Sequence, residues 1–336
     1  MLTSSDMIHL LFTPDLTEGG IAYACRSLAC TRDRMGDSPL DQLRHTVANV
    51  AVELAFRRHL TRQFVPFQVL DATPFTQPDW HDISLGGHRC IVTSFLMSHR
   101  NQITQLRRDP GRLLLAPALV PVDQFATEEA KPDDLYLFAF LLGVVAAAQT
   151  DIAKAIAARQ PAFLIHLVPS AWSRPLNWIP LENLALKSES VSPVTVEIGG
   201  QDSGRNFITT TLELPPRQRL LVKESFHSLA YIHVQNRPGA RIGLHSPLHG
   251  EPYLIPARAW GNLWVYGMEI ILTGWLTRED FRRKARVLNS GSRTFQIERT
   301  HLKNLMVPVS ELNPLGRLFE KVRQWEAEKI RSSPSS

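Results

Sequence analysis

The sequence predicts an α/β fold, a central mixed β-sheet flanked by helices and interrupted by a β-rich module. Three observations carry this reading. Helical stretches alternate with short apolar runs over residues 1–164. Between 165 and 262 the helical period fades, Pro and Gly become frequent, and β-like runs take over. An α/β pattern then returns over 263–331, ahead of a disordered tail at 332–336. The expected organisation is therefore a core in two segments, 1–164 and 263–331, with 165–262 inserted as a module of small-domain size.

The elements follow in order. Residues 16–32 fit a first helix. Ser38-Pro39 caps and opens a second, DQLRHTVANVAVELAFRRHL, whose apolar residues form a broad stripe with Glu53 inside it. FVPFQVLDATPF reads as a strand and turn, and PDWHDISLGGHRCIVTSFL as a tight hairpin about Gly86-Gly87. SHRNQITQLRRD is a polar helix. LLLAPALVPVD and DLYLFAFLLG, bounded by Pro, Asp and Gly, are expected as buried strands, and GVVAAAQTDIAKAIAARQ as a helix. In the module, VTVEIGG, FITTTLELP, RLLVKESF, LAYIHVQN and ARIGLHSP are β-like. WVYGMEIILTGWL is strand-like, TREDFRRKARVL is a helix capped by Thr277, and ELNPLGRLFEKVRQWEAEKI is a last helix.

Composition is that of a globular protein: 336 residues, 44% hydrophobic and 21% charged. The 37 basic and 32 acidic residues give a formal charge of +5, a mild bias towards polyanions. Three cysteines are too few for a disulfide scaffold, and Cys25 and Cys30 fit neither a redox pair nor a zinc knuckle. The N-terminus lacks a basic region, and the most apolar window is too short to span a bilayer. A cytoplasmic location without a membrane partner is expected.

Chemistry concentrates at the hairpin. An acid on a helix (Glu53), then an acid opening a hairpin (Asp82), then a paired strand with two positions on one face: this order resembles the PD-(D/E)XK, or restriction-endonuclease-like, nuclease superfamily. Two carboxylates must converge on Mg²⁺, which takes oxygen ligands and lowers the pKa of the attacking water. A lysine two residues beyond the second acid shares its strand face. The resemblance implies a catalytic and metal-binding role for Glu53 and Asp82. In this chain the second acid is replaced by Ile91 and the lysine by Thr93. DDLYLFAFLL resembles the family's following core strand, and EIILTGWLTREDFRRKA the strand and basic helix found later in that fold. The fold implied is a restriction-endonuclease-like core, and the function a catalytically degenerate nuclease-like protein binding double-stranded DNA, a protein partner or a second copy. Its cofactor is none or Mg²⁺. Two alternatives stand beside it: an active Mg²⁺-dependent endonuclease with a migrated acid or lysine, Glu269, Arg100 and Lys131 being candidates, and an interaction protein working through its β-rich module.

The nucleic-acid contacts expected are Arg100, Arg107, Arg108, Arg278, Arg282, Arg283, Lys284 and Arg286, set against a plain solvated helix face. The module's histidines (His227, His233, His245, His249) lack nearby cysteines and a helical spacing, so zinc is disfavoured. GGQDSGR lacks the Lys-Ser/Thr of a phosphate-binding loop and reads as a hairpin turn.

Overall fold

A computed structural model describes residues 2–28, 38–70, 83–126 and 131–332. Strand β1 (Ile8–Leu11) precedes helices α1 (Pro14–Ser27) and α2 (Pro39–Arg62). Strands β2 (Gln68–Val69), β3 (Ile83–Leu85) and β4 (His88–Met97) follow, then α3 (Arg100–Arg108), β5 (Pro117–Pro121), the single-turn α4 (Val122–Phe125) and β6 (Leu135–Val145). Next come α5 (Gln149–Ala157), β7 (Leu164–Leu167), the single-turn α6 (Ser170–Ser173), β8 (Ala185–Ser188), β9 (Val194–Gln201) and β10 (Phe207–Leu214). They lead to β11 (Arg219–Leu221), β12 (Ser228–Val234), β13 (Ile242–His245), β14 (Tyr253–Ile255) and β15 (Gly261–Asn262). The chain ends with β16 (Val265–Thr277), α7 (Arg278–Lys284), β17 (Arg286–Leu288), β18 (Asn304–Pro308) and α8 (Leu315–Ser332).

These elements form two compact units. The first takes the chain up to Gly20, Asp33–Val144 and Val265 onward. Its centre is a six-stranded sheet ordered β1-β16-β6-β4-β3-β2. The sheet is mixed: β4 runs parallel to β6, while β3 is antiparallel to both β4 and β2. A three-stranded sheet, β17-β18-β5, belongs to the same unit. Together with α3, α4 and α7 it encloses an apolar cluster in which Ile103, Leu106, Phe125, Phe281 and Val307 meet Tyr136, Phe138, Phe140 and Leu142 of β6. Burying one such side chain contributes about 1.5–3 kcal/mol, so this cluster fixes the unit's layering.

The second unit holds Val145–Trp264 and the last turns of α1 from Ile21. It contains a five-stranded sheet, β10-β9-β12-β7-β15, and a four-stranded sheet, β11-β8-β13-β14. The boundary expected at 165 falls inside this unit, because α5 and β7 belong to it. GGQDSGR does make the β9–β10 turn, where Asp202 accepts the Asn206 backbone N–H at 2.8 Å.

Local chemistry explains most elements. Ser38 caps α2 by accepting the Asp41 N–H, and Thr277 caps α7 by accepting that of Asp280. Gly86 and Gly87 take φ of 60° and 92°, the pair of positive values that a two-residue hairpin turn requires. Three expectations are corrected. Leu113–Leu115 close a 3-10 turn rather than opening a strand, because Pro110 and the Asp109 cap start that turn. Gly143–Val145 extend β6 rather than starting a helix: Gly143 packs against Gly267 of β16, so closely that a Cβ would have to push the neighbour back. Helix α7 stops at Lys284, since Arg286–Leu288 pair with β18 instead.

Candidate functional site

Within the first unit, the hairpin presents β4 to both β3 and β6. Ile83 pairs with Cys90, and Cys90 with Leu135. Asp82, the residue before β3, lies outside the described residues. Glu53 lies on α2 and is 8% exposed, paired with Arg57 one helical turn on. Helix α2 packs on β4 through Asn49, whose side-chain oxygen accepts the Ser94 hydroxyl at 2.6 Å.

Strand alternation now decides which groups meet. Ser94 faces α2, and Glu53 sits four residues from Asn49 on that side of the helix. Ile91 and Phe95 face the other way, onto the apolar cluster. Thr93 lies between them on that same face, beside Phe138 in the parallel register. Glu53 and the two substituted places therefore lie on opposite faces of β4 and do not converge. Among the described residues no group of three His, Cys, Asp or Glu side chains is arranged to hold a metal ion.

Glu269 does not supply the missing acid. Gly143 lies against Gly267, and Thr273 Oγ1 donates to the Phe138 carbonyl at 2.9 Å, so β16 runs antiparallel to β6. That places Glu269 beside Leu141, six residues along β6 from the Cys90–Leu135 row, or about 20 Å. Its carboxylate is held by His9 Nδ1 at 2.5 Å.

The acids at the hairpin end are others. Asp133 pairs with His88 Nδ1 at 3.0 Å, and the His88 ring lies 4.3 Å from that of Trp325 on α8. Asp134 is 2% exposed; its Oδ2 accepts the Lys131 N–H at 2.7 Å, while Oδ1 has no partner among the described residues. Two residues on, burial pushes the Tyr136 phenol up to about 12, offset in part by Arg278. The sequence signal for these groups was Asp133-Asp134 immediately before an apolar strand, which reads equally well as a strand cap.

The basic residues divide by what they touch. Arg278 donates to the Phe125 carbonyl at 2.8 Å and stacks over that ring, Arg283 pairs with Asp280, and Lys284 donates to the Glu311 carbonyl. These three hold the structure together. Arg100, Arg107 and Arg108 on α3, with Arg282 and Arg286 around α7, are exposed, and their guanidinium groups have no hydrogen-bond or ion-pair partner among the described residues. Arg100 and Arg107 are seven residues apart, so they share one side of α3, beside the row that buries Ile103 and Leu106. Both groups of cations lie on one layer: α3 and α7 bury against the same apolar cluster, and Gln102 of α3 donates to the Phe295 carbonyl at 2.8 Å. Segments 99–125 and 278–307 together carry twelve basic and five acidic residues, a surplus of seven where the whole chain has five.

The module's histidines are dispersed. His227 lies near Trp178, His233 stacks on Phe163, His245 accepts from Arg219, and His249 packs on Trp172. Cys25 is buried, and its thiol is pushed up to about 12 by desolvation and by Glu197. No helix among the described residues is long and apolar enough to cross a membrane. No family model matches the chain, and no curated protein matches it.

Proposed function

We propose that this chain is a nuclease-like protein with a degenerate catalytic strand, which binds double-stranded DNA through its basic layer without cutting it. The observation that carries the reading is the layer's surplus of seven positive charges, with five exposed arginines unengaged by acids. Cations so placed exchange condensed counterions for contacts to phosphate, the main sequence-independent term in DNA affinity. The nuclease resemblance is supported by the order helix α2, hairpin β3–β4, helix α3 and strand β6, gathered in one mixed sheet with β4 parallel to β6. Loss of cleavage is supported by Ile91, which is partly buried against the apolar cluster at the place where the resemblance puts a metal-binding acid.

The test is fluorescence anisotropy with a 20-base-pair duplex across a salt series, wild type beside Arg282→Ala/Arg286→Ala. Wild type binds, and log K falls linearly with log salt. The double variant loses about 0.9 of that slope per phosphate contact removed, about 1.8 in all. Neither protein cleaves the duplex in Mg²⁺ or Mn²⁺. An unchanged slope, or no binding at low salt, refutes the role of this layer; cleavage refutes the degeneracy.

A further inference from the structure

The outer face of the four-stranded sheet in the second unit holds two cations in direct opposition. Arg219 of β11 pairs across the ladder with Lys187 of β8. Both are exposed, while Leu186 and Ser188 on either side of Lys187 are buried, so the two side chains share the solvent face. Cross-strand partners have Cβ atoms about 5 Å apart, and like charges there destabilise a sheet. The nearby acid is shared: Glu189, just past the end of β8, is held at both oxygens by Arg241 at 2.8 and 2.9 Å, and its pKa is lowered only secondarily by the Lys187 charge. Lys187 has no hydrogen-bond or ion-pair partner among the described residues.

A third group completes the face. His245 of β13 accepts from Arg219 Nη2 at Nδ1, 3.0 Å away. A guanidinium only donates, so in the neutral ring the proton sits on Nε2, which is left as a donor. On the far side of Lys187 the ladder position is Gly243, and beyond it Leu254, 46% exposed. Gly243 puts no side chain of its own beside the ammonium, and the Leu254 side chain lies against that position. We propose that Lys187, Arg219 and His245 form a binding site for a dianionic phosphate monoester. The anion replaces the cross-strand repulsion with charge-assisted hydrogen bonds. The site is independent of the basic layer in the first unit.

The probe is inorganic phosphate at pH 7.5, read by calorimetry and thermal unfolding against sodium chloride of matched ionic strength. Wild type shows saturable binding and a rise in Tm beyond that in chloride. Lys187→Glu reverses one charge of the opposed pair. It unfolds no earlier than wild type without phosphate, and its phosphate affinity drops at least tenfold. Lys187→Met and Arg219→Gln lose binding likewise, whereas Arg282→Ala/Arg286→Ala retains it. A wild-type response no larger than chloride's, or one that survives Lys187→Glu, overturns the site. Two further arms separate the sources: a 5′-phosphorylated against a 5′-hydroxyl oligonucleotide, and phosphatidic acid against phosphatidylcholine vesicles. Discrimination in one arm names the source; discrimination in neither overturns the monoester assignment.

Discussion

Writing the acid and lysine of the superfamily that the hairpin resembles into β4, as Ile91→Glu/Thr93→Lys, is expected to destabilise the protein without creating a nuclease. Ile91 is half-buried against the apolar cluster, and Thr93 lies beside Phe138. Removing half an isoleucine's burial costs about 1 kcal/mol. Placing a carboxylate there adds a desolvation penalty of several kcal/mol unless a partner is found. The introduced lysine lies two residues away on the same face and recovers part of that, so the double variant should lose about 2–4 kcal/mol. Against a typical total of 5–15 kcal/mol, the chain should still fold. Urea unfolding gives the stability change, and a supercoiled plasmid in Mg²⁺ or Mn²⁺ tests cleavage. If the variant unfolds at the wild-type midpoint and nicks the plasmid, this face is an open, decayed active site and the placement of Ile91 in the core is wrong.

Two further outcomes are expected. Phe281 is fully buried among Phe125, Tyr136 and Phe138, with ring centroids at 5.7–6.1 Å, so Phe281→Ala should cost about 3–5 kcal/mol and weaken DNA binding with it by releasing α7; a loss under about 1 kcal/mol by denaturant titration would remove Phe281 as the anchor. Burial lowers the pKa of His166 and of His233, which donates from Nδ1 to the Leu164 carbonyl, so both stay neutral in the folded second unit while the unfolded chain takes up protons near 6.5. The stability they contribute is therefore complete above pH 6.5 and declines as pH falls towards their depressed folded values, at no more than about 1.4 kcal/mol per pH unit for each histidine; His166→Gln/His233→Gln should flatten that decline in thermal unfolding, and an unaltered acid limb would exclude them.

Local signals made the elements legible. Ser38-Pro39 announced α2, Gly86-Gly87 the hairpin, and the unbroken apolar run of β6 a strand buried on both faces. Boundaries failed where two local readings were equal. GVV at the end of β6 suits a strand or a helix, and contact with β16, more than 120 residues away, decided it. Strand pairing in the second unit was equally hidden, since β12 joins β9 to β7 and no single run encodes that order. At the candidate site, HRCIVTSFL fixed the strand but not its facing. Its apolar residues populate both sides, so sequence alone left open whether Ile91 faced α2 or the opposite layer. That layer is built from α3, β5 and β18, the last some 200 residues downstream.

Ile91 and the basic layer are parts of one arrangement. A metal-dependent site needs its carboxylates open to water and to phosphate, and an apolar layer closed over them would impose the desolvation cost of an unpaired charge. With isoleucine at 91, the layer packs against β4 and gains burial instead. Closure keeps the arginines, because Arg107, Arg108, Arg282 and Arg286 stand on the layer's exposed surface. Cutting and closure are incompatible on this face of the sheet, whereas binding and closure are not. Under the function proposed above, a chain with isoleucine at 91 binds a phosphate backbone for as long as Phe281 and its neighbours hold the cationic surface in place.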